Sequence, residues 1–178
     1  MILDDIHTEH GYIVRLLRLL QQKLAAIEQG KEVDYTLIKD TVEYLQVHAE
    51  RCHHPKEDVL YHYYQAHYAD EGGDLESLEH EHEELAQLTQ AFADTVEMIL
   101  MDAVIPLDIF ADKLNDFVER QRAHLEFEER HIIPRIRQQF TEQDWLEVAD
   151  QYEECEGDPL FGQQVAARYK NLAARLNQ

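Results

Sequence analysis

Cysteine is almost missing from this chain: Cys52 and Cys155 are the only two in 178 residues, and they form no Cys-x-x-Cys pair. That excludes a small disulfide-stapled secreted scaffold and fits a reducing compartment. No apolar run reaches 18 residues, so no transmembrane helix is expected. The start, Met1-Ile2-Leu3-Asp4-Asp5, lacks the basic end and long apolar core of a signal peptide. A cytoplasmic location is therefore expected. Basic residues are also scarce, with 16 Lys and Arg against 37 Asp and Glu for a formal charge of −21. Such a surface repels nucleic acid and anionic membrane and draws cations, so neither of the first two is expected as a partner.

What the chain does have is histidine, 11 in all, and part of it recurs in register. His53-His54-Pro55-Lys56-Glu57-Asp58 contains His-x-x-x-Glu, a spacing that puts both side chains on one helix face, able to close on one ion. The pattern returns 71 residues later as His124-Leu125-Glu126-Phe127-Glu128-Glu129. Each copy is followed by a second acid and then apolar residues. One copy alone would be weak evidence. However, Glu9-His10 precedes the first copy and Glu81-His82, 72 residues on, precedes the second. The chain thus reads as two halves, each a helix with one His followed by a helix with His-x-x-x-Glu. Packed together, they would bring four His and two Glu to a two-metal site.

Apolar periodicity supplies the helices. Ile6, Ile13, Leu17, Leu20 and Leu24 form a stripe around His10 in a first helix over 3–28, stopped at Gly30. A second helix starts near 34–36 and runs to about 68, with a kink at Pro55, where the ring removes a hydrogen bond. Asp70-Glu71-Gly72-Gly73-Asp74 is the loop between the halves. A third helix covers 75–101 around His82, and a fourth begins at Pro106 and ends near 139. Residues 142–154 and 160–176 read as two short helices that cover the bundle through Trp145, Leu160 and Phe161. The expected architecture is all-α: an antiparallel up-down-up-down four-helix bundle over 1–140, capped by 141–178.

Taken together, Glu9-His10, His53-His54-Pro55-Lys56-Glu57-Asp58, Glu81-His82-Glu83-Glu84-Leu85 and His124-x-x-x-Glu128-Glu129 running to Ile132-Ile133-Pro134 resemble the hemerythrin-like (HHE cation-binding) family over residues 1–140. The resemblance implies a bundle around a non-haem di-iron centre, with His10, His53, Glu57, His82, His124 and Glu128 as ligands. Oxygen-carrying hemerythrins have one more His where this chain has Leu78, and a fourth-helix His-x-x-x-x-Asp where it has His-x-x-x-Glu. The ligand set resembles the four-His, two-Glu branch instead. Six protein ligands are few for two irons, so both carboxylates are expected to bridge, with an oxo or hydroxo group between the ions.

Burying two carboxylates in apolar stripes is costly unless cations accompany them, which favours metal over structural histidines. His54, His62, His67 and His80 fall outside the register and are read as exposed polar residues; His7 and His131 stay open as outer or extra ligands. A ferritin-like Glu-x-x-His reading fails because Glu50-x-x-His53 finds Gln121 at the repeat offset. The expected function is binding or sensing of oxygen or another small diatomic such as nitric oxide. The alternative is a di-iron redox enzyme (oxidase, peroxidase or nitric oxide handling) or an iron donor for repair of iron centres.

Overall fold

On the first helix, apolar side chains recur every three or four residues, and the polar face between them is charged; such a segment is helical because that is how it buries the stripe. In the computed structural model, which describes residues 2–69, 73–152, 155 and 157–177, α1 spans Ile2–Glu28. It ends at Gly30, whose φ of 71° is free of steric cost only without a Cβ, and the Gly30 and Lys31 amides bond back to Ile27 and Ala26. Asp34 caps α2 (Tyr35–Tyr44) by accepting from the Leu37 amide. The chain then runs through a π-helical segment, Leu45–His53, directly into α3 (His54–His67). After α4 (Asp74–Leu100), α5 (Leu107–Phe127) passes through a second π-helical segment, Glu128–Ile132, into α6 (Ile133–Gln139).

At Pro55 the helix widens and does not stop, running from the π-helical segment directly into α3. Pro55 and Pro134 each lie in the first turn after a π-helical segment. A proline lacks an amide hydrogen and clashes with the carbonyl four residues back in a regular α-turn. A wider turn separates these groups; the His54 amide reaches Ala49 and the Ile133 amide reaches Glu128, each five residues back.

Among the described residues there are helices and no strand. Helix α1 packs on α5, α2 on α4, and α4 on both α3 and α5. Their apolar faces make two separate clusters. One holds Ile13, Leu17, Leu20, Phe92, Phe110 and Phe117, and the other Leu3, Ile6, Leu60, Leu78, Ile132 and Ile136. Each such side chain stabilises the fold by roughly 1.5–3 kcal/mol. Between the clusters lies a polar layer. His10 sits between Ile6 and Ile13 on α1, and His82 between Leu78 and Phe92 on α4, so the site has a dry wall on each side.

The C-terminal stretch is less helical than its sequence suggests. Thr141 and Asp144 form a reciprocal capping box that starts α7, which ends at Asp150; residues 153 and 154 of the expected helix lie outside those described. Residues 159–166 are turns held by Asp158, whose carboxylate accepts from the Leu160 and Phe161 amides. Only a short 3₁₀ turn, Ala167–Tyr169, and α8 (Lys170–Leu176) are helical. Leu160 and Leu172 nonetheless enter the first cluster, and Trp145 packs beside Phe140 in the second. Of the expected inter-half loop, residues 70–72 are outside the described part.

The two cysteines correct the sequence reading: Cys52 and Cys155 are joined as a disulfide. A reducing compartment is thus no longer favoured by cysteine usage. No described helix is long and apolar enough to cross a membrane. The bond joins residues 103 apart, so it removes much chain entropy from the unfolded state. Its reduction should cost about 2–4 kcal/mol and lower the melting temperature by roughly 5–15 °C. Calorimetric scans with and without a phosphine reductant check this; superimposable scans would mean the bond constrains nothing.

Candidate metal centre

All six residues of the repeat converge in the polar layer, each 5% exposed or less. Helix α1 supplies His10, the first π-helical segment ends in His53, and α3 supplies Glu57. Helix α4 supplies His82, α5 His124, and the second π-helical segment opens with Glu128. The four imidazoles form two edge-to-face pairs: His10 with His53, ring centroids 4.7 Å apart, and His82 with His124, 4.9 Å apart.

Both carboxylates face both pairs. Oε1 of Glu57 lies 3.0 Å from His10 Nε2 and 3.4 Å from His53 Nε2, while its Oε2 lies 3.6 Å from His82 Nε2. Oε2 of Glu128 lies 3.3 Å from His124 Nε2 and 3.5 Å from His10 Nε2, while its Oε1 lies 3.5 Å from His82 Nε2. Every histidine therefore turns Nε2 inward.

The outward nitrogens explain why. Nδ1 of His53 donates to Glu9 at 2.8 Å and Nδ1 of His124 to Glu81 at 3.1 Å. Nδ1 of His10 donates to Glu129 at 2.7 Å and Nδ1 of His82 to Asp58 at 2.8 Å. A carboxylate behind each Nδ1–H fixes the ring's orientation and leaves the Nε2 lone pair for a cation. These four acids are the functional residues that the sequence reading left unassigned. Their signal was present, since each motif contains an acid next to its His or Glu.

Other histidines separate clearly. His54, read as exposed, is buried: its ring stacks on His82 at 4.2 Å, 7° from parallel. One of its ring nitrogens lies within 4.8 Å of ligand atoms on Glu57, His82 and His124, as do those of His10, His53 and Glu57 among themselves. His62 and His80 are exposed and pair with surface acids, and His67 is exposed beside the Tyr63 carbonyl. His7 is exposed and reaches Glu129 from outside, and His131 is exposed against Phe127. Neither joins the centre. Glu50 of the rejected Glu-x-x-His pattern faces His54 and Thr89 instead. Tyr61, unmarked by the repeat, donates to Glu128 Oε1 at 2.6 Å.

The electrostatics are those of an anionic cage. Burial opposes charging His10 and His82, yet Glu129 and Glu57 around the first and Asp58 and Glu128 around the second raise each to about 10. His124 is also raised, Glu128 and Glu81 outweighing burial. His53 is pushed well below its usual value by burial and by its cationic neighbours. Burial would lift Glu128, but His124 and His82 hold it down to about 2. Burial and Glu128 keep the Tyr61 hydroxyl protonated.

The donor set fits a cation. Nε2 of His53 and Oε2 of both Glu57 and Glu128 are buried without a hydrogen-bond partner among the described residues. An unsatisfied buried group costs about 1–3 kcal/mol, more when charged, and coordination removes that cost. Comparison with known families agrees: the hemerythrin HHE cation-binding domain matches residues 1–136. The chain belongs to that family. No curated protein and no solved structure gives a significant match. Two groups of buried side chains here could hold a metal ion: His54, Glu57, His82 and His124, and His10, His53 and Glu57.

Proposed function

We propose that this HHE domain is a non-haem di-iron protein, built as an antiparallel four-helix bundle over residues 1–140 with 141–178 as its cover, that binds or senses a small diatomic such as oxygen or nitric oxide. His10 and His53 would hold one ion and His82 and His124 the other, with Glu57 and Glu128 available to both. The observation that carries this reading is that each carboxylate faces both histidine pairs within 3.6 Å. Mixed imidazole and carboxylate donors suit iron. His54 stands beside His82 as a fifth imidazole, contributed by α3 where oxygen carriers use the position of Leu78. The two ions together would supply redox chemistry and open positions for a ligand. Burial of all six side chains, with apolar clusters above and below, restricts that ligand to a small molecule.

A second reading, redox turnover, draws support from Tyr61, a proton donor already hydrogen-bonded to a bridging group. Mixing the anaerobic ferrous protein with oxygen in a stopped-flow spectrometer separates the two. A lasting absorption change that reverses on degassing is the expected result. Rapid, irreversible conversion to the ferric protein, slowed in Tyr61→Phe, would replace binding by turnover.

A further inference from the structure

A groove between α1 and α5 lies outside the buried centre and borders it at His10 and Glu129. It encloses about 430 Å³, within the range of small-molecule sites, roughly 300–1,000 Å³. Val14 and Leu17 of α1 and Leu125 of α5 give it an apolar floor. At Gly11 a Cβ would meet nothing within 4 Å, so the groove is open there. His10, Glu129, Arg18 and Arg122 also line it.

The charges are unequally satisfied. The lining acids already have partners, Glu129 in His10 and His7, and Glu126 in Arg130 at 2.6 Å. Arg18 and Arg122 make no hydrogen bond or ion pair among the described residues. Both guanidinium groups are exposed beside the apolar floor, where an anion can reach them. Their planar forks match a carboxylate. Eight residues along α1 separate Arg18 from His10, about 12 Å, which sets the length of the apolar body that fits between.

We infer that this groove binds an amphipathic carboxylate, the carboxylate held by Arg18 and Arg122 and the apolar body laid along Val14, Leu17 and Leu125 toward Gly11. The charge selects an anion and the floor rejects a fully hydrated one, so inorganic phosphate is not a substitute. Binding needs no metal.

Titration calorimetry of the full chain, as metal-loaded and as chelator-stripped protein, with sodium octanoate, 1-octanol and inorganic phosphate as probes, tests this. Octanoate should bind both forms, octanol about tenfold or more weakly, and phosphate should give no heat. Arg18→Gln/Arg122→Gln should weaken octanoate about tenfold or more and bring it level with octanol. Gly11→Leu, whose Cβ meets nothing within 4 Å, should fill the open stretch and weaken octanoate and octanol alike. Equal affinity for octanoate and octanol in the parent chain, an unchanged double variant, or phosphate binding as tight as octanoate would each overturn the inference. Circular dichroism of every variant confirms folding. Ion content measured on the same samples keeps a failure of the di-iron reading separate from a failure here.

Discussion

Metal analysis of Glu128→Gln should return a chain that has lost both ions together, from about two per chain to a small fraction of one. The carboxylate touches both histidine pairs, through Oε1 to His82 and through Oε2 to His124 and His10. An amide keeps the shape and can still accept from Tyr61, so the fold should survive. It supplies no charge and only one good donor oxygen, so neither ion keeps its bridge. Glu129→Gln is the contrast. That side chain stands behind His10 at 2.7 Å and has no path to the ions, so affinity should fall by about 10–100-fold without loss of stoichiometry. A Glu128→Gln protein that retains one tightly held ion would show that the carboxylate serves a single metal, and the bridging arrangement would be wrong.

Proton release on metal uptake is the second large effect. In the metal-free protein His10 and His82, raised to about 10, hold protons at pH 7; His124 is also raised, but its Nε2 lies 3.2 Å from His82 Nε2 and accepts there. His53, pushed down, holds no added proton. Coordination needs the neutral ring, so loading should expel about two protons per chain, read with an indicator dye in weak buffer. Release near zero would mean that the histidines are neutral before metal arrives. The same shifts set the stability of the stripped protein. A histidine whose folded value exceeds its unfolded 6.5 stabilises fully below that pH and loses its contribution as pH rises through about 10. Glu128 behaves oppositely: held to about 2 from 4.5, it stabilises above the higher value and loses this as pH falls through the lower. The stripped protein should therefore melt at progressively lower temperature from pH 7 toward 10. The loaded protein, whose histidines are already neutral, should not show this trend.

The helices were legible because their ends are chemical. Asp34 caps α2, Gly30 ends α1, and Thr141 with Asp144 opens α7, all as their types require. The six central residues were legible because a repeat made them so. His54 was not, and the reason is geometric. His54 lies outside the repeat register, and the sequence does not show that Leu45–His53 is π-helical. A wider turn adds to the count and rotates the next stretch of helix by up to about 100° relative to an unbroken α-helix. The repeat hid His54 further, since its partner at the same offset is Leu125. The disulfide was illegible for another reason: two cysteines 103 residues apart carry no spacing signal. Residues 159–166 carry enough apolar side chains to suggest a helix, but the Asp158 carboxylate captures two amides and holds turns instead.

The acids behind the histidines obey a rule of exchange. Glu9 and Glu81 support histidines of their own half, His53 and His124. Asp58 of the first half supports His82 of the second, and Glu129 of the second supports His10 of the first. In a symmetric pair of identical subunits, a residue i reaching j of its neighbour is matched by i of the neighbour reaching j in return. This chain keeps that reciprocity inside one molecule, with Tyr61 on Glu128 as a departure, since the position matching it is Ile132. Neither half can orient all its own imidazoles alone. The centre is in this sense a dimer interface folded into a monomer, and a polypeptide of either half would have to find a second copy before it could assemble the same cage.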